Sequence, residues 1–398
     1  MKKILGLLIA LIALAACGQD QMTPEELEAF RQERLEMAQE DFEHLVQMLE
    51  DNFPFFGIAQ RRYGLDINEL FLTAWAEIEA AVLVYDDCLE DIIGSFVWEH
   101  VAMPLNFIGH ISPVHSRFRG SHDYVRYCEL FGIDPTQSTI ETKIIEEGII
   151  AYIRMETFLN DPFGGLYGSW SQDRIDTFEF LRQVQAFEHL IVDIRGNTGG
   201  FYTLPVDAFI LPNLSETVVL EHFGFFTGGS FAARHANFHR SQRHIAFAAR
   251  PGAQIRPAYE IVEQYGLIYM NQNDMEFLTW GYALSTTLVP ARIEYTFSGQ
   301  IWLLIDENNS SASEVFAQLA KETGLILVGE TTGGVFGGIP THFTLPNTGM
   351  MLRLDTLYIT DRYGRALEEF RTDPHHFNRP NQDALETTLA LIAEEAYR

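Results

Sequence analysis

Two short stretches of this chain hold residue types that could carry out covalent chemistry. The first runs from Ile301 to Phe316: an apolar strand-like segment, a turn of small polar residues, and a helix-like segment opening on Ser310, Ser311 and Ser313. A serine at a strand-to-helix turn stands at the end of a rigid strand. The helix's unpaired N–H groups and positive dipole end favour charge developing on its oxygen. The same position is where an ordinary helix takes a serine N-cap, so the spacing alone leaves nucleophile and cap both open. The second stretch, Asp193 to Gly200, is a strand end followed by a glycine-rich turn. Its glycines allow close backbone approach and outward-facing N–H donors, as an oxyanion hole requires, and they also suit a plain tight turn. A phosphate loop is disfavoured, because neither the P-loop lysine nor the G-x-G-x-x-G spacing is present.

An activated serine needs a base. His110 and His115 lie in an apolar context upstream, and either residue type serves as base or as a structural histidine. His235, His239 and His244 have a spacing that invites a metal reading, but no carboxylate or cysteine ligand accompanies them in an Arg-rich segment. They read as a solvated face, as do His375 and His376, and neither metal nor any other cofactor is expected.

The surrounding pattern supplies elements to position these groups. Thr23-Pro24-Glu25-Glu26 opens a helix by a capping box with proline in the first turn, running to about Asn52. Further helical stretches cover about 67–84 and 89–103, so the front third is helical. From about Gly148, buried-strand patterns at 149–155, 189–194, 301–305 and 324–329 alternate with helices at 172–187 and after Ser311, which implies an α/β core. Residues 201–298 are aromatic-rich and poorly periodic, and read as a substrate-facing elaboration of that core.

Composition and the N-terminus bound the setting. Hydrophobic residues make up 47% of the 398-residue chain, enough for a large core. Lys2 and Lys3 precede an apolar run too short for a comfortable membrane span, ending Leu14-Ala15-Ala16-Cys17. Residues 1–16 therefore read as a secretory signal, and the small-small-Cys ending resembles a bacterial lipobox with Cys17 as the lipidated residue. The expected location is extracytoplasmic, anchored to the membrane through lipid on Cys17. The formal charge of −28 would fall further on losing Lys2 and Lys3, so nucleic acid is not an expected partner. Whether Cys88 and Cys128 pair is left open, as is the oligomeric state.

Taken together these segments resemble the tail-specific (C-terminal-processing) serine peptidases. Asp193 to Gly200 is similar to that family's D-[LIV]-R-x-N-x-G-G signature. Ser311-Ala312-Ser313-Glu314 is similar to its nucleophile segment, and Gly329-Glu330-Thr331-Thr332-Gly333-Gly334 to the turn that follows. The resemblance spans about residues 100–390. It implies a ClpP/crotonase-like α/β catalytic core, here over 106–398, preceded by an N-terminal helical cap at 17–105. It also implies Ser311 as nucleophile, with backbone N–H groups of Gly199, Gly200 and Ala312 as the oxyanion hole. The family's serine–lysine branch places its lysine where this chain has Val335, which cannot accept a proton. The tricorn-like branch uses a histidine from the N-terminal part of the catalytic region and a glutamate near the C-terminus. By that resemblance His110 is the base and Glu368 orients it. Many relatives carry a PDZ module. Only 38 residues separate His110 from Ile149, about half what such a domain needs, so none is expected between them.

The expected function is that of a serine-type peptidase acting on polypeptide or peptide substrates through an acyl-enzyme. The competing expectation is an inactive relative that binds a hydrophobic ligand or peptide, for which the aromatic load of 201–298 would serve. A third is an envelope assembly factor acting through its helical region.

Overall fold

The computed structural model describes residues 22–85, 87–105, 108–114, 134, 136–161, 171–241, 246–291, 296–334 and 340–395. The signal segment with Cys17, the base candidate His115, and Cys128, His244 and Val335 lie outside these. Cys88 is an exposed free thiol.

The front of the chain follows its local signals. Helix α1 (Pro24–Asn52) starts at Thr23, whose side chain accepts from the Glu26 N–H while Glu26 reaches back to the Thr23 N–H, completing the capping box. Helices α2 (Phe56–Tyr63) and α3 (Ile67–Val84) follow, α3 capped by Asp66. The expected 89–103 helix is divided: α4 spans Leu89–Val97 and a π turn continues it over Trp98–Ala102. Among the described residues no helix is long and apolar enough to cross a membrane.

The α/β core is a six-stranded sheet. Its strands are β2 (Ile140–Glu146), β3 (Ile150–Met155), β4 (His189–Asp193), β9 (Gln300–Ile305), β10 (Ile326–Gly329) and β14 (His376–Phe377), in the order β14-β10-β9-β4-β3-β2. All neighbours are parallel except β2 with β3. The apolar strands are explained by burial of both faces. Ile301, Leu303 and Ile305 of β9 pack on one face with Leu181 and Val184 of α5 (Gln172–Val184) and Phe316 and Leu319 of α8 (Ala312–Glu322). Trp302 and Leu304 face the other way, against Ala384 and Ile392 of α9 (Ala384–Glu395). Each Leu, Ile, Val or Phe side chain among these, once fully buried, contributes roughly 1.5–3 kcal/mol.

Residues 201–298 are more regular than expected. Strands β5 (Val218–Phe226) and β8 (Trp280–Leu288) form a nine-residue antiparallel pair, joined by β6 (Ala248–Ala249), β7 (Arg256–Pro257) and β13 (Tyr358–Asp361). Helix α6 (Ser230–Ser241) and helix α7 (Ala258–Tyr265) lie between them in sequence. The pair obeys a period of two, hidden because both faces are apolar. Phe226, Tyr282, Leu284 and Leu288 point into the α/β core, whereas Phe223, Phe225 and Ala283 point into a second core shared with α1 to α4. This sheet therefore joins the helical front third to the α/β core. A small antiparallel sheet, β1 (Ser112–Val114), β12 (Met351–Leu354) and β11 (Thr341–Thr344), completes the fold.

Candidate active site

Strands β4 and β9 are parallel neighbours, with Asp193 paired to Leu304, so the segments that follow them leave the same edge of the sheet. That edge, the carboxyl end of the parallel strands, is where such sheets build sites. The Asp193–Gly200 turn lies directly against the start of α8. A methyl group on Gly199, whose φ is +105°, would stand 2.9 Å from Ser311 Cβ and from the Ala312 nitrogen, and 2.8 Å from the Ser310 carbonyl oxygen. Only glycine fits there.

Buried amide and hydroxyl groups hold the two turns in place. Asn309 Nδ2 donates to the Ile194 carbonyl, Ser313 Oγ donates to the Asn197 carbonyl at 2.6 Å, and Asn197 Nδ2 donates to Met155 O at 2.9 Å. The N–H of Gly199 is consumed in this network, donating to Asn197 Oδ1 at 2.8 Å. Gly199 is therefore not available as an oxyanion donor, which corrects the expectation for that residue. Gly200 and Ala312 donate to no acceptor among the described residues, Ala312 because it is the first residue of its helix.

Ser311 precedes α8 with φ 55° and ψ −122°, a strained conformation for a residue with a Cβ, and its side chain makes no capping hydrogen bond. The backbone is fixed by Ser311 N–H donating to Gly334 O at 3.0 Å. Its Oγ instead lies 2.8 Å from His110 Nε2. The structure thus brings together two of the expected site residues, 201 positions apart.

His110 is delivered by β1, whose antiparallel register sets Ser112 opposite Arg353. His110 itself ends the 3-10 turn Ile108–His110 that leads into β1, and the Asp355 N–H donates to Gly109 O at 2.7 Å. His110 Nδ1 is 2.5 Å from Asp355 Oδ2. The Asp355 side chain is 1% exposed, so a carboxylate that has lost its water faces the ring. Burial alone would lower the His110 pKa, but the charge and hydrogen bond of Asp355 more than reverse this and hold it above the ordinary value.

Glu368, expected to orient the imidazole, is corrected on the same geometry: Asp355, not Glu368, bonds Nδ1. Glu368 is buried and its Oε1 accepts the N–H of Gly109 at 3.0 Å. It thereby braces the backbone one residue before His110. Asp355 escaped the sequence reading because its partner comes through a long-range strand register. The available signal was a lone acid after the apolar alternation of Met351–Leu354, inside Leu354-Asp355-Thr356-Leu357. His235 and His239 are also corrected: both are buried, His235 Nδ1 lying 2.7 Å from Thr356 Oγ1 and His239 Nδ1 3.1 Å from the Tyr282 hydroxyl. Among the described residues no group of three or more potential ligands is disposed to hold a metal ion.

A parallel α/β sheet presenting a strained, uncapped serine to a histidine backed by a buried aspartate is the architecture of a serine-type hydrolase. The chain belongs to peptidase family S41, whose family model matches residues 149–376, more than half of the chain. It is accordingly a serine-type peptidase. No curated protein matches the sequence. Its fold is similar to that of a Parabacteroides merdae protein provisionally classed as a peptidase, at 17% identity, covering 89% of this chain and 96% of that one with a TM-score of 0.51. Mature CPAF complexed with lactacystin is similar at 10% identity, covering 91% and 98% with a TM-score of 0.51.

Proposed function

We propose that this chain is an extracytoplasmic, lipid-anchored peptidase that hydrolyses peptide bonds through an acyl-enzyme, with Ser311 as nucleophile and His110 as general base. The observation that carries the proposal is the 2.8 Å approach of His110 Nε2 to a serine that caps no helix. Asp355 holds the proton on Nδ1, which leaves Nε2 free to accept. Ser311 Oγ attacks the carbonyl carbon as its proton passes to Nε2. The N–H groups of Gly200 and Ala312 receive the oxyanion, a donor of this kind contributing about 3 kcal/mol. The tetrahedral species collapses as Nε2 returns the proton to the leaving amine. Water, activated by the same nitrogen, then releases the acyl group.

The use of histidine where Val335 replaces a lysine supports kinship with the tricorn-like branch. Polypeptides or short peptides are the substrate class, and the 17–105 helical region restricts access to the site. The lipobox-like ending at Cys17 supports anchoring through lipid on that residue.

A fluorophosphonate probe tests the chemistry without knowledge of the natural substrate. Covalent labelling of Ser311 in the wild type, lost in Ser311→Ala and strongly slowed in His110→Ala, is the expected result. An inactive ligand-binding relative would show no labelling at all, and unchanged peptide cleavage by both variants would refute the residue assignment.

A further inference from the structure

The link that carries Asp355 is fastened lightly. Residues 355–357 lie between the end of β12 at Leu354 and the start of β13 at Tyr358, outside the ladders of both strands. Among the described residues, the backbone hydrogen bond that holds this link is the Asp355 N–H donating to Gly109 O at 2.7 Å. The carboxylate bonds the His110 ring through Oδ2, and its other oxygen, Oδ1, is buried with no hydrogen-bond partner. Both attachments run to residues 109 and 110, the segment whose imidazole Asp355 has to orient. A group that orients another must be held from elsewhere, or the two drift together.

That outside hold comes from α6. Thr356 Oγ1 lies 2.7 Å from His235 Nδ1, and both side chains are buried. Leu357 also packs into the α/β core, but apolar packing is non-directional, whereas a hydrogen bond fixes where the link sits. His235 is itself placed firmly. Its neighbours Ala232 and Ala236 pack into the α/β core, and the Ala232 N–H donates to Asn52 Oδ1, at the end of α1, at 2.9 Å. One turn further along α6, the His239 ring stands 6.4 Å from that of His235, and its Nδ1 is 3.1 Å from the hydroxyl of Tyr282, fully buried in β8. Burying an imidazole and a hydroxyl costs free energy that their mutual bond only offsets. An apolar pair of the same shape avoids that cost, and local rules of this kind are broken chiefly where a site is being supported.

We propose that His235 is a positioning residue: through Thr356 it fixes the Asp355 carboxylate against His110 Nδ1. The inference rests on the peptidase reading, and it ties the 201–298 elaboration to the chemistry through α6.

The test is the second-order rate of fluorophosphonate labelling of Ser311 in the full chain, measured across pH. The variants are Thr356→Val, Thr356→Ser, His235→Leu, His235→Asn, and Thr356→Val combined with Asp355→Asn. A misplacement of about 1 Å can cost ~10² in rate, so Thr356→Val and His235→Leu should label at least about tenfold more slowly than wild type. With Asp355 displaced, His110 loses part of the interaction that holds its proton, so the acid limb moves to lower pH. Thr356→Ser keeps a hydroxyl and His235→Asn keeps a polar atom close to the place of Nδ1, so both should recover most of the rate. In Asp355→Asn no carboxylate is left to position, and adding Thr356→Val should slow labelling by less than about twofold. A Thr356→Val rate within about threefold of wild type, or a slower rate with the acid limb in place, overturns the positioning role. So does an undiminished slowing on top of Asp355→Asn, which general loosening of the core would give. In each of those results the wild type still labels and the peptidase reading stands. A wild type that does not label overturns that reading and the role of His235 with it.

Discussion

Asp355→Asn changes one oxygen to an NH₂ group in a buried site, and its consequence follows from three features of the geometry. The carboxylate accepts from Nδ1 at 2.5 Å, it is almost fully buried, and the ring it faces sits 2.8 Å from the serine. Opposite unit charges about 4 Å apart interact by about 4 kcal/mol at an effective dielectric near 20. That attraction exists only once His110 has taken the serine proton, so its loss falls on the transition state. At ~1.4 kcal/mol per decade it corresponds to a fall of between 10² and 10³ in rate. The amide also can donate to Nδ1, which would put the proton on Nε2 and block the base, so the total approaches ~10⁴. The assay is the second-order rate of fluorophosphonate labelling of Ser311 across pH. Labelling requires neutral His110, so in the wild type it falls as pH drops through a pKa raised above the ordinary histidine value. Asp355 raises that pKa against the effect of burial, so in Asp355→Asn the residual acid limb moves to lower pH. A labelling rate within threefold of wild type, or an acid limb that stays in place, would refute the role given to Asp355.

Gly199→Ala forces a methyl group to within 2.9 Å of Ser311 Cβ at a φ of +105°; labelling is expected to fall more than tenfold with far-UV circular dichroism unchanged. Glu314 is buried in the first turn of α8, where desolvation raises its pKa despite hydrogen bonds from Thr332 and Thr372 and the nearby charge of Arg371. The folded state therefore holds this proton more tightly than the unfolded state, and stability falls as pH rises from about 4.5 toward the raised value. Glu314→Gln should flatten that decline and raise the urea midpoint at neutral pH. Glu368→Leu leaves the Gly109 N–H without the carboxylate it donates to; a loss of roughly 1–3 kcal/mol by urea denaturation is expected, and Glu368→Gln, which keeps an acceptor, should recover most of it.

The parts of this molecule that declared themselves in sequence are those fixed by local physics. The capping box at Thr23 defines the start of α1 within the residues that form it, because that end is decided within four positions. Strands β4, β9 and β10 are buried on both faces, and their unbroken Ile, Leu and Val runs record that. The same double burial concealed β5 and β8, since aromatic residues on both faces erase the alternation that marks a strand. The carboxylate of the site was concealed for a different reason. Its place is set by the pairing of residues 112–114 with 351–353, and no window along the chain contains both strands. The tricorn-like motif drew attention to Glu368, which is indeed at the site but acts on the backbone of Gly109.

Only four non-glycine residues among those described have positive φ, and two of them, His110 and Ser311, are the pair in contact. Such conformations cost of order 1–3 kcal/mol each and persist only where the surroundings over-determine them. On the serine side the constraint comes from Gly199 packed against Ser311 and from the Gly334 carbonyl on its N–H. On the histidine side it comes largely from the helical front third. The rings of Phe53 and Phe55 press so closely on Gly109 that a methyl group there would lie 2.7 Å from each. Arg62 grips the carbonyl of Glu368, whose side chain holds Gly109. The helices of residues 24–63 thus form one wall of the support under His110, and loosening α2 should slow the chemistry even where substrate access is unchanged.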